Sequence, residues 1–196
     1  MAKRIAEVKR VTKETDISLI LNLDGTGKCK VSTGIGFFDH MIEGFARHGL
    51  FDVEFTCKGD LNVDGHHTVE DCGIVLGQAI KEALGDKKGI KRYGSFLLPM
   101  DETLVMCAID LCGRPYLGFE ENFSAPAIGD FDTELFHEFF YAVSYSAMMN
   151  LHLRQITGCN AHHIAEASFK AFAKALDMAT QYDERIDGVL STKGAL

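Results

Sequence analysis

The stretches DGHHTVED at residues 64–71 and NAHHIAEA at 160–167 decide the reading of this chain, because they are one motif written twice. His66-His67-x-x-Glu70 recurs as His162-His163-x-x-Glu166, 96 residues later. A repeat at this distance is the signature of a duplicated architecture, and its extent can be followed outward. Each copy follows a short alternating apolar segment, Phe51 to Cys57 in the first and Leu151 to Leu153 in the second. Before that comes a helix-period segment with one histidine of its own, His40 or His137, at an offset of 97. Earlier still, Glu14-Thr15 opens a strand pattern ending at Leu23-Asp24-Gly25, and Glu102-Thr103 opens one ending at Leu111-Cys112-Gly113, at an offset of 88. The growth from 88 to 97 places about nine extra residues in the second half, within 120–130, where Pro, Gly and Ser cluster.

Each half therefore reads strand, strand, strand, helix, strand, helix. Ile17, Leu19, Leu21 and Leu23 alternate as one face of a strand, and Asp24-Gly25-Thr26-Gly27 signals a hairpin into 28–32. Phe38, Met41, Ile42 and Phe45 fall at helical spacing until Gly49, and Val69, Gly73, Leu76 and Ile80 until Gly85. Leu104 to Ala108, 135–149 and 164–178 repeat the scheme. The expectation is an α+β fold of duplicated βββαβα halves, with two four-stranded sheets flanking a four-helix layer about an internal pseudo-two-fold axis. Residues 1–90 and 91–185 are the half-repeats of one compact domain, and 186–196 form a polar tail able to fold over a site.

The composition narrows the function. With 196 residues, 46% of them apolar, the chain can bury a core. Its 20 basic against 28 acidic residues give a net charge of −8, which argues against nucleic acid or an anionic membrane as partner. No leader pattern and no apolar run of membrane-spanning length are visible, so a cytoplasmic protein is expected. Six cysteines without a CxxC pair suit packed, reduced thiols. The unusual entry in the composition is eight histidines with no tryptophan.

Asp64 and Asn160 are good N-caps, so both histidine pairs fall in a first helical turn, where the helix dipole favours neutral imidazole, the form that binds metal. Neighbouring helical residues point about 100° apart, so His66 and His67 would serve different ions, with Glu70 in reach of either. His40, His66, His67, Glu70, His137, His162, His163 and Glu166 then divide into two sets of three histidines and one carboxylate, each with open positions. Such sets suit Mn, Fe, Co, Ni or Zn in a catalytic role. A lone histidine at a helix start is ordinarily a capping or surface residue; the duplication argues against that here. His48 and His152 have no counterpart in the other half: His152 reads as strand surface, and His48 as either a helix-end cation or a substrate contact. Arg92, Arg114, Lys170, Ser191 and Lys193 could converge on a phosphate monoester, although solvated surface charge explains each one singly.

Taken together, FFDHM (37–41), ARHG (46–49), DGHHTVED (64–71), GIKRYG (89–94), DLCGRPYL (110–117), FHEFF (136–140), NAHHIAEASFKAFAKAL (160–176) and STKG (191–194) closely resemble the imidazoleglycerol-phosphate dehydratases of histidine biosynthesis. The resemblance implies a ribosomal protein S5 domain 2-like fold and a hydro-lyase that converts D-erythro-imidazole glycerol phosphate to imidazole acetol phosphate. It also implies two Mn2+ per subunit and a homo-oligomer of 24 subunits built from trimers, with sites at subunit contacts. By the same resemblance the eight residues above are the metal ligands. Glu14, His48, Arg92, Arg114, Lys170, Ser191 and Lys193 become substrate contacts. One departure is Gly44, where many relatives carry Gln. The hydrogen to be lost sits on a carbinol carbon without a neighbouring carbonyl, so the expectation is that two ions hold the ring as an imidazolate, with Glu14 as acid/base and Glu166 its competitor. A di-metal phosphoesterase is the alternative enzyme, but such sites use more Asp and a bridging carboxylate. A non-catalytic metal-binding shell protein is the other alternative, and it gives no reason for basic residues to converge.

Overall fold

The alternation read in the sequence becomes two sheets with one buried face each. In the computed structural model, which describes residues 3–196, β1 (Ile5–Val11), β2 (Thr15–Asn22) and β3 (Cys29–Ser32) precede α1 (Gly36–Gly49), β4 (Asp52–Gly59) and α2 (His66–Leu84). The same order follows in β5 (Tyr93–Met100), β6 (Thr103–Asp110), β7 (Tyr116–Glu120), α3 (Leu135–Ala147), β10 (Asn150–Thr157) and α4 (Ala161–Thr180). A small hairpin, β8 (Ala127–Ile128) with β9 (Phe131–Asp132), interrupts the second half next to the stretch where extra residues were expected. The sheets have equivalent strand orders, β1-β2-β4-β3 and β5-β6-β10-β7. Ile17, Leu19 and Leu21 on β2, and Val105, Cys107 and Ile109 on β6, turn inward while their neighbours face out. The α+β duplication is thus the observed fold.

One local expectation fails. Asp24 to Gly27 does not close a hairpin between β2 and β3: β4 lies between them, antiparallel to β2 and parallel to β3. β3 has only four residues, too few to compete for a central place, whereas β4 inserts Val53, Phe55 and Cys57 into the core. The polar turn has another partner, because Asp52 Oδ1 accepts from the backbone N–H of Thr26 at 2.8 Å and of Lys28 at 3.0 Å.

The helices fill the space between the sheets by exchanging partners across the halves. α2 covers β1 and β2, α4 covers β5 and β6, and the contacts between helices are α1 with α4 and α2 with α3. Each pair runs in the same direction: His40 meets His162 and Phe45 meets Phe172 further along, with the Phe rings stacked at 5.4 Å. Phe38 meets Phe139 edge-on at 5.3 Å, joining the two pairs. α2 and α3 touch closely because Gly73 and Gly77 face them; a Cβ at Gly73 would lie 2.7 Å from the Phe139 carbonyl oxygen and 2.8 Å from Ala142 Cβ. All six cysteines are free and four are buried. Among the described residues no helix is long and apolar enough to cross a membrane.

These two environments of helical glycine predict opposite outcomes. Gly73→Ala pushes apart two backbones and should destabilise by about 1–3 kcal/mol. Gly44→Ala, on α1 with no atom within 4 Å of its Cβ position, should stabilise by about 0.4–1 kcal/mol. Urea unfolding midpoints of both variants check this.

Candidate metal centre and substrate groups

The start of α4 is built for precision. Asn160 caps it, its Oδ1 accepting from the backbone N–H of His162 (3.0 Å) and His163 (3.3 Å). In the first half the cap residue is Gly65, not Asp64, although Asp64 Oδ1 still accepts from the His66 N–H at 2.8 Å. On the face α4 turns to α1, His40, His162 and Glu166 each offer a ligand atom, and the three atoms lie within 4.8 Å of one another. His162 Nε2 is 3.1 Å and His40 Nε2 3.7 Å from Glu166 Oε2, while Lys170 Nζ is 2.6 Å from Oε1. Burial works to raise the Glu166 carboxyl, but Lys170 and His40 outweigh it and hold the group below its usual value. Two imidazole nitrogens and a carboxylate oxygen form a donor set that fits a borderline divalent ion.

Among the described residues this is the only such three-ligand group. In the other set His66 Nε2 lies 3.8 Å from Glu70 Oε2, but His137 turns to Glu138 (3.1 Å) and stacks on Tyr141. The second histidine of each pair points away from the first, with ring planes 87° apart at His66–His67 and 88° at His162–His163. His67 Nδ1 is 3.0 Å from Asp60 Oδ2, and His163 Nδ1 is 2.7 Å from Glu102 Oε2. These carboxylates raise both imidazoles above their usual value. Sequence reasoning missed Asp60, whose only signal is its place directly after the last residue of β4, and noted Glu102 only as a strand-opening acid.

The remaining groups fall into separate places. Glu14 Oε1 is 3.9 Å from His67 Nε2. His48, on the α1 face of His40 and Gly44, is lowered below its usual value by burial and by the Lys170 cation. Among the described residues no atom lies within 4 Å of a Cβ built at Gly44, the position where many relatives were expected to carry Gln. Arg92 is held by Asp110 through two bonds of 2.7 and 3.1 Å, donates to the Leu190 carbonyl at 2.8 Å, and is raised by Asp110. With the tail it lines a cavity of about 630 Å³ that Ser191 shares. Lys193 N–H donates to Ser191 Oγ at 3.2 Å. The Arg114 carbonyl accepts from Asn150 Nδ2 at 2.8 Å. His152 is exposed on β10 beside Tyr116. Arg92 is anchored away from Lys170: its backbone N–H bonds the Ala179 carbonyl, nine residues along α4 from Lys170 and 13 from Glu166, about 14 and 20 Å of helix rise at 1.5 Å per residue.

A family model described as imidazoleglycerol-phosphate dehydratase matches residues 33–176. The chain is 66% identical over 193 residues to the imidazoleglycerol-phosphate dehydratase of Lachnoclostridium phytofermentans, covering 98% of each, and 60% identical to that of Acetivibrio thermocellus, covering 97% of each. The crystal structure of the enzyme from Staphylococcus aureus superposes with a TM-score of 0.83 at 39% identity, covering 91% of this chain and 99% of that one. The structure from Pyrococcus furiosus, solved in complex with (S)-C348, gives 0.84 at 38% identity, covering 96% and 100%. The doubled histidine turn, the duplicated sheet order and this near-complete coverage together show that the chain belongs to the imidazoleglycerol-phosphate dehydratase family, hydro-lyases of histidine biosynthesis.

Proposed function

We propose that the chain removes water from D-erythro-imidazole glycerol phosphate to give imidazole acetol phosphate, using two Mn2+ per subunit. The observation that carries the reading is the convergence of His40, His162 and Glu166 on one helix pair, with Lys170 and His48 close by on the same two helices. His40, His162 and Glu166 would hold one ion, and His66, Glu70 and His137, with His67 and His163, are the remaining candidates. When bound, the ions supply Lewis acidity toward the nitrogens of the substrate ring. The protein's own groups do the rest. Glu14 is half-exposed and lies beside His67, free to take the proton from the carbinol carbon as the C–O bond on the neighbouring ring-bearing carbon breaks, and to return it to that ring-bearing carbon as the enol O–H proton passes to the departed hydroxyl, giving water and the ketone. Glu166 is the weaker candidate, because Lys170 already neutralises it. Arg92, oriented by Asp110, with Arg114, Ser191, Lys193 and Lys170, offers forked and point-charge donors for the phosphate.

The Arg92 backbone is anchored near the far end of α4, roughly 20 Å of helix rise from Glu166. Two copies of the chain brought together would let groups from the two ends of α4 meet on one substrate. This supports sites shared between subunits and the trimer-based assembly of 24 that the resemblance implies.

Three outcomes are expected. Glu14→Gln should keep its metal content and lose turnover by at least about 100-fold, whereas Glu166→Gln should lose metal as well; turnover and metal analysis separate them. Chelation should abolish ketone formation and added Mn2+ restore it, read in a ketone-forming assay run beside a phosphate-release assay that stays silent. Mixed oligomers reassembled from inactive Glu14→Gln and Arg92→Ala subunits should regain activity, since some shared sites then carry both native residues; continued inactivity of well-formed mixed oligomers would count against sharing.

A further inference from the structure

The two halves differ in how their histidine turns are anchored. Residues 60–65 separate β4 from α2, but only 158–160 separate β10 from α4. The longer loop carries its own carboxylate, Asp60, 3.0 Å from His67 Nδ1. The shorter one has no acidic side chain, and its first residue, Gly158, sits at φ 122° with Thr103 packed where a Cβ would stand. Only glycine permits that approach, and it brings the start of β6 over the loop. Glu102 then reaches His163 Nδ1 with Oε2 at 2.7 Å. Its Oε1 accepts from the backbone N–H of Asn160 (3.0 Å) and Cys159 (3.3 Å) and from Thr103 Oγ1 (2.9 Å). Glu102 is the repeat counterpart of Glu14, since Glu14-Thr15 and Glu102-Thr103 lead into β2 and β6. Glu14 is left free: Asp60 already occupies Nδ1 of His67, and the Glu14 carboxylate makes no hydrogen bond to the described residues.

We propose that Asp60 and Glu102 are positioning residues, each accepting the Nδ1–H of the second histidine of its turn so that Nε2 is presented as the ligand atom, and that Glu102 has thereby given up the proton-transfer role that Glu14 keeps. A neutral imidazole carries one N–H, and a carboxylate at Nδ1 fixes it there, leaving the lone pair on Nε2. With three hydrogen bonds on Oε1 and the His163 bond on Oε2, the Glu102 carboxylate is fixed against the loop and the imidazole, whereas Glu14 is not held in this way. The same acid, duplicated, has been assigned to orientation in one half and left available for chemistry in the other, and the difference follows from the length of one loop.

The inference rests on the metal-centre reading, and the test reads binding without substrate. Metal-stripped wild type, Glu102→Gln, Asp60→Asn and Glu14→Gln are titrated with Mn2+ alone, following the free ion by electron paramagnetic resonance. An amide matches the carboxylate in shape but offers N–H to Nδ1, which moves the imidazole proton to Nε2 and removes that ligand. Glu102→Gln and Asp60→Asn should each weaken one class of site about 10–100-fold, and Glu14→Gln should follow the wild-type curve. Glu102→Asp, which retains an acceptor, should bind more tightly than Glu102→Gln. Wild-type binding by both amide variants, an equal loss in Glu14→Gln, or no Mn2+ binding by the wild type would overturn the proposal. A chain that binds Mn2+ as described yet forms no ketone would overturn the dehydration reading and leave this assignment in place.

Discussion

The docking of α1 against α4 is the contact on which the candidate centre depends. His40 belongs to the first half and His162 and Glu166 to the second, so no ligand cluster exists until helices of different halves lie side by side in one direction. The Phe45–Phe172 stack and the Phe38–Phe139 contact fix that alignment from the buried side. Aromatic burial of this kind contributes area and also orientation, because offset and edge-on rings resist sliding. A slip of one helical turn, about 5.4 Å, would remove His40 from reach of Glu166. The polar geometry is therefore held by apolar packing a few residues away.

Charge follows the same local logic. The chain carries a net charge of −8, yet along α4 the sequence Glu166, Lys170, Lys174 places two cations just beyond the carboxylate. His48 faces them from α1 and is lowered below its usual value by burial and by Lys170. A helix pair that is anionic at the ligand end and cationic further along suits the ring-and-phosphate substrate proposed above, and the overall acidity of the chain says nothing about it.

Much of this was legible in the sequence, and the reasons for the rest are physical. The doubled HHxxE, the alternation in β2 and β6 and the helical spacing of Phe38, Met41 and Phe45 are local patterns, and they gave the order of elements and the ligand candidates in both halves. The false hairpin at Asp24 to Gly27 shows the limit: a turn signal reports that the chain bends, not which strand it will pair with, and β4 won the central place through its buried residues. Asp60 and Glu102 were invisible as histidine partners because their proximity depends on loop length and on the packing of Thr103 over Gly158. The gap between Arg92 and Lys170 was equally hidden, since sequence separation does not give position along a helix pair.

The exchange of helices between the halves has a consequence for how such a chain can arise. If the two halves were identical, the α1–α4 and α2–α3 contacts would be a single contact read in both directions, which defines an isologous interface between two copies. A polypeptide of half this length would cover its sheet with its own helices but leave the outer faces of those helices unpaired, and would bury them by dimerising about the axis that is now internal. Joining two such copies end to end makes that interface intramolecular. Each copy of every residue is then free to diverge without spoiling a symmetric partner, as Glu14 and Glu102 have done.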